Sequence, residues 1–225
     1  MKVPTFQRHP SDYDPSVARF VDPPYGAGVL LEQPIAEILE LLGSGELDSP
    51  AGSTAALCAA FAAALTAAIA RQMDATVAEG AVAQADALRA RLCRLAQATG
   101  VVHRRAVRLL ELAEMGPVQD EESGLRNKEL ASALREAAEF PLQICETAAD
   151  VVSLAGWVAD DGPAATRADA IAAACTAEAA VSSAAALVEA NLTVQAGDEH
   201  AERARAHARA SQATRRSLQA SDDQL

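Results

Sequence analysis

The stretch AALCAAFAAALTAAIA, residues 55–70, decides the fold. Its one polar side chain is Thr66, it holds no glycine or proline, and Arg71 closes it. Alanine has the highest helix propensity and loses no side-chain entropy on folding, so the stretch reads as a helix. Apolar on every side, it belongs at the centre of a bundle or a dimer core. A membrane span needs about 20 strongly apolar residues, and alanine is only weakly so.

Working outward, the turn DSPAGS at 48–53 precedes this core helix. Before it, Pro34 opens a shorter helix that aligns Ile35, Ile38, Leu39 and Leu42 and stops at Gly43 and Gly45. After it, Ala85, Leu88, Leu92, Leu95, Val102, Ala106 and Leu109 recur at helical steps and predict one long helix over about 80–115. Residues 116–126 read as a polar loop. Leu130, Leu134, Ala137, Leu142, Cys145, Ala148, Val152 and Ala155 continue in helical register through Pro141. An interior proline costs roughly 3 kcal/mol, so this segment is either kinked there or divided into two helices. Beyond the DDGP turn at 160–163, Ile171, Ala174, Val181, Ala185, Val188 and Leu192 mark another helix. From Asp198 the chain is polar all round and reads as a solvated helix fraying towards Leu225. No strand-like alternation occurs. The expectation is an all-α, up-and-down helical bundle of five or six helices.

Three regions follow. Residues 1–33 form an arm with five prolines and the aromatics Phe6, Tyr13, Phe20 and Tyr25, expected to lie against the body or a partner subunit. Residues 34–196 form the helical domain, and 197–225 the polar C-terminal helix. Only 3% of the residues are aromatic while 50% are apolar, so the core must be built from small side chains on closely approaching backbones. A net charge of −12 argues against general affinity for nucleic acid or anionic lipid. The first 25 residues lack the apolar run of a signal peptide, and the expected location is the cytoplasm. Cys58, Cys93, Cys145 and Cys175 are isolated from one another and read as reduced thiols rather than metal ligands.

Generic catalytic motifs are missing: there is no P-loop, no GxGxxG after a strand, no GxSxG and no HExxH. His200 and His207, seven apart with Glu199 and Glu202 nearby, fit a solvated helix surface better than a metal site. Glu139 and Glu146 flank Pro141, where a kink would free backbone groups for a ligand, although solvated surface is the simpler fate. Asp169 stands near a helix start, where the helix dipole alone would favour an acid. Arg91, Arg94, Arg105 and Arg108 fall within about 100° on a helical wheel. Such a stripe suits a carboxylate or phosphate, or a face of salt bridges.

DSPAGSTAAL, residues 48–57, resembles the opening of the cyclodeaminase/cyclohydrolase family, in which a serine-proline turn leads through glycines and a serine into the first core helix. AAEFPLQICETAADVVSLA at 137–155 is similar to that family's helix with an internal Pro-Leu. RADAIAAAC at 167–175 resembles its Ser-Asp-Ala turn, and ALVEANL at 186–192 is similar to the Asn-Leu that closes the next helix. The resemblance implies a homodimeric helical bundle with a folate cleft near the subunit contact. Members form methenyl-tetrahydrofolate from formimino-tetrahydrofolate with loss of ammonia, or hydrolyse the methenyl to the formyl compound. Carried over by position, Asp169 is the expected acid/base, while Ser49, Gly52, Ser53 and Asn191 are expected to bind substrate. No metal or cofactor beyond the folate is implied. The family's run of glycines is reduced here to Gly52, and Leu187 and Glu189 stand where it favours asparagine and a basic residue. A catalytically degenerate scaffold, binding a partner protein through the arm or the arginine stripe, stays open as the alternative.

Overall fold

The computed structural model describes residues 30–45, 49–114, 120–192 and 198–222. Within them the chain is all-helical: α1 (Ile35–Ser44), α2 (Pro50–Ala70), α3 (Ala75–Glu114), α4 (Asp120–Asp161), α5 (Arg167–Asn191) and α6 (Glu199–Asp222). Two 3-10 turns, Leu30–Glu32 and Ala164–Thr166, precede α1 and α5. The aromatic arm through residue 29 lies outside the described residues, as do the loop residues 115–119.

α1 ends where expected, on Gly45 at φ 76°, a left-handed conformation that glycine adopts without a Cβ clash. α2 lies at the centre, packed against α3, α4 and α5. It runs antiparallel to α5, because its early residues Ala55 and Ala59 share a core with Ala180 and Ala184. Its late residues Ala67 and Ala70 share a second core with Ala170 and Ala173. Thr66, fully buried, satisfies its hydroxyl on the Ala62 carbonyl at 2.8 Å within the same helix. By length and composition alone, α2 and the segment Ala164–Asn191 are apolar enough to cross a membrane. Here 61% of the most apolar window of α2 and 44% of the other's are buried inside the bundle.

The structure corrects the sequence reading at two elements. α4 passes through Pro141 without dividing into two helices, one of the two expected alternatives, and the correction is at its start, Asp120, inside the segment expected to be loop. The sequence at that start reads Asp-Glu-Glu, and acidic residues are favoured where a helix begins. The C-terminal helix is not solvated all round. It lies on α4 and α5, burying Ala201, Ala204, Ser211 and Leu218. At the end where α4 passes to α5, Arg167 Nη1 donates to the Ala159 carbonyl at 2.7 Å and pairs with Asp160 at 3.2 Å.

Candidate functional site

A cleft of about 690 Å³ opens between the N-terminal half of α2 and the middle of α5, with Leu42 of α1 at its rim. Its walls are small because the sequence puts alanine there: Ala51 and Ala55 on one side, Ala179 and Ala180 on the other. The polar groups facing it are the hydroxyls of Thr54, Thr176 and Ser183 and the thiols of Cys58 and Cys175. Among the described residues that line it there is no carboxylate, imidazole or cationic side chain. Thr54 already donates to the Pro50 carbonyl at 2.7 Å, a local bond within the first turn. The arrangement suits a largely apolar, flat ligand held by a few hydroxyl contacts.

The expected substrate-binding residues divide between the cleft's upper end and the packing behind it. Ser49 is the N-cap of α2 but makes no side-chain cap bond, and Pro50, the first helical residue, has no N–H. Ser53 faces away from the cleft, where its Oγ donates to the Ala96 carbonyl of α3 at 2.8 Å. Gly52 meets α3 too: a Cβ there would stand 2.8 Å from Thr99 Oγ1 and 2.9 Å from Ser49 Oγ. The residue is glycine because there is no room for anything larger. Thr99, 4% exposed, is a neighbour the sequence did not point to.

Asn191 ends α5, and its Nδ2 donates to the Ala137 carbonyl at 3.0 Å. Ala137 is the residue four before Pro141, whose missing N–H leaves that carbonyl without its helical donor. The Asn191 amide supplies the bond in its place. Asp169 is exposed in the first turn of α5, at the other end of the helix from Asn191, roughly 33 Å away at 1.5 Å per residue. One chain therefore does not bring Ser53, Asp169 and Asn191 into a common pocket. Asp169 does share a helical stripe with Thr176 and Ser183, at seven-residue steps, about 10 Å below the cleft's Thr176. The arginine stripe is on α3, outside the cleft: Arg91 is half-buried, Arg94 and Arg108 are exposed, and the Arg105 side chain lies outside the described residues.

A second polar cluster joins α4 to α6. His200 bridges two carboxylates, with Nδ1 at 2.9 Å from Asp198 and Nε2 at 3.0 Å from Glu139. One heptad further along, Glu146, buried among the core residues of α4, pairs with Arg203, with His207 at 4.0 Å. The signal was present in the sequence as matched spacing: Glu139 and Glu146 are seven apart on α4, as are His200 and His207 on α6. Two parallel helices in register bring such pairs together. Asp198 also caps α6, accepting the His200 backbone N–H at 2.8 Å. That bond chiefly holds its carboxyl below the ordinary carboxylate range, against the opposing effect of burial. Beside Glu146, burial pushes the Cys145 thiol up to about 12, and the neighbouring carboxylate adds to the rise. Among the described residues no group of three His, Cys, Asp or Glu side chains is placed to hold a metal ion.

Residues 34–210 match the formiminotransferase-cyclodeaminase family, more than half of the chain. The chain belongs to the formiminotransferase-cyclodeaminase family. The family match spans α1 to α5 and continues into α6, so the helix docked by the Glu139 and Glu146 pairs is partly within it. Among solved structures, the chain is similar to a formiminotetrahydrofolate cyclodeaminase from Thermotoga maritima, with a TM-score of 0.69 and 17% identity. The alignment covers 84% of this chain and 93% of that one. At that identity the likeness concerns the fold. The comparison with curated proteins found no match.

Proposed function

We propose that this member of the formiminotransferase-cyclodeaminase family binds a tetrahydrofolate one-carbon derivative, or a related cyclic C–N compound, in the α2–α5 cleft and acts on it in the cytoplasm. The observation that carries the reading is the coincidence of the family match with a cleft whose upper end is the serine-proline turn of α2. In the deaminase direction, the second ring-side nitrogen attacks the formimino carbon, a C–N bond closes, and ammonia leaves after taking a proton. In the hydrolase direction, water adds to the methenyl carbon and one C–N bond opens. Both need proton transfer from a positioned group. Asp169, about 10 Å along α5 from the lining residue Thr176, is the candidate acid/base for a ligand long enough to extend from the cleft down that stripe.

The same reading includes a homodimer. The outer faces of α2 and α5 carry Phe61 at 58% and Leu65 at 38% exposure beside Thr176, Ala179 and Ser183. Ile35 and Leu39 of α1 are each 62% exposed. A second copy covering these faces would bury about 800 Å² per partner, the usual scale of a stable interface, and would place the cleft beside the contact.

Calorimetric titration with 5-formyl-tetrahydrofolate, paired with an ammonia-release assay on formimino-tetrahydrofolate, tests the reading. Saturable heat with turnover that is lost in Asp169→Ala is the expected result. The described lining residues, which offer hydroxyls and thiols but no ionisable oxygen or nitrogen group, favour a second reading, a binding scaffold without catalysis. It requires heat on titration and no ammonia release from wild type. No heat at millimolar ligand would overturn both.

A further inference from the structure

We propose that His200 is a pH-sensitive pin, which holds the start of α6 on α4 while its ring is protonated and lets it go as pH rises. Nδ1 lies 2.9 Å from Asp198 Oδ1 and Nε2 lies 3.0 Å from Glu139 Oε2. Both ring nitrogens thus face carboxylate oxygens, which when ionised can only accept. An imidazolium donates to both. A neutral ring has a single N–H, and its other nitrogen would turn a lone pair towards an oxygen lone pair. The side chain is 22% exposed, so the proton can exchange with water.

The groups around the ring set the direction of the effect. Asp198, 5% exposed, gives its other oxygen to Arg135 of α4 at 3.7 Å, a solvated cation that screens only part of the charge. Glu139 has its other oxygen bonded to Gln143 Nε2 at 3.2 Å, which keeps the carboxylate turned towards the ring. Glu199 and Glu202, beside His200 on α6, are exposed and add negative charge. From α5 come the neutral Asn191 and Glu189, which is paired with Arg205 at 2.6 Å. One heptad along the seam Glu146 pairs with Arg203, with His207 at 4.0 Å and Asp150 one turn further on α4. Arginine keeps its charge throughout the physiological range, so that rung stays closed when the first opens. The apolar anchor of the first turn is the methyl of Ala201, which buries little area. Docking of that turn is therefore strongest with the carboxylates ionised and the ring protonated, and it weakens as pH rises through the histidine's titration. None of this rests on the function proposed above.

Amide hydrogen exchange of the full chain, read residue by residue in ¹⁵N–¹H spectra and corrected for intrinsic rates, tests the pin between about pH 5.5 and 8, the range in which histidine changes charge. The amides of Glu202, Arg203 and Ala204 should open about tenfold more at the upper end, as loss of one hydrogen bond to a charged group implies, while α2 and α5 keep their protection. His200→Gln holds one donor and one acceptor at every pH and should give a flat profile; Glu139→Gln, which removes one of the two charges, should shrink the step. A flat wild-type profile, a step that survives in His200→Gln, or a loss of protection spread equally over α2 and α5 would overturn the proposal.

Discussion

Pro141 removes an N–H from the interior of α4, and Asn191 returns a donor to the carbonyl that lost one. The two residues should therefore be energetically coupled. Asn191→Ala leaves the Ala137 carbonyl unpaired in a half-buried place and is expected to cost about 1–3 kcal/mol in chemical denaturation. In the Pro141→Ala background, where the backbone supplies the bond, the same change should cost under about half as much. Equal costs in the two backgrounds would show that the amide does something else. Cys145 makes a second prediction at this scale. Its thiol, pushed up to about 12 by burial and by Glu146, should be alkylated far more slowly than those of Cys58 and Cys175, which face the cleft. Mass spectrometry of peptides after a short iodoacetamide pulse reads the order directly. Residue roles were the least legible layer of the sequence. Asp169, Gly52 and Asn191 could be singled out by type and neighbours, but what each touches depends on helices far away in the chain. Thr99 gave no signal at all, because its meaning comes from the glycine it meets.

The helices themselves were readable, since small apolar residues at three- and four-residue steps leave little doubt about α2, α3 and α5. The two departures have physical causes. The run from Asp120 to Ser123 is polar enough to read as loop, but acids are what a helix start favours. In α6 the buried stripe is narrow and made of Ala201, Ala204, Ser211 and Leu218, so arginines and histidines hid it. That helix depends on polar contacts more than on apolar area, with its cap Asp198 only 5% exposed at the side chain. The Asp198 carboxyl is held below its ordinary range, so the folded state keeps it ionised at a pH where the unfolded chain has begun to bind a proton. Its stabilisation is present in full above the ordinary carboxylate range and is lost as pH falls through the lowered value. Asp198→Ala should therefore cost about 0.5–2 kcal/mol at neutral pH, with the gap to wild type closing on acidification. Thermal melts of both proteins across pH 7 to 3 measure it, and a gap that does not change with pH would contradict the cap.

At the scale of the molecule, an alanine-built bundle has little aromatic mass to fill space, and two consequences follow. Backbones approach closely, as α2 does to α3 at Gly52 and Thr99. Where α2 and α5 part, no large side chain fills the gap, and the cleft is what remains. The same two helices present apolar outer faces that a single copy leaves in water. Phe61→Glu should therefore shift sedimentation from dimer to monomer while leaving helical circular dichroism unchanged. A wild-type chain that sediments as a monomer at tens of micromolar would remove the second copy from the account.

We propose above that a folate derivative occupies the α2–α5 cleft. It is tested most directly by calorimetric titration of 5-formyl-tetrahydrofolate into wild type and into Ala179→Trp, which fills the cleft from an exposed position on α5. Saturable heat with one site per chain is expected in wild type and should be lost in the variant, which should melt at the wild-type temperature. No heat in wild type, or equal binding in the filled variant, would contradict it.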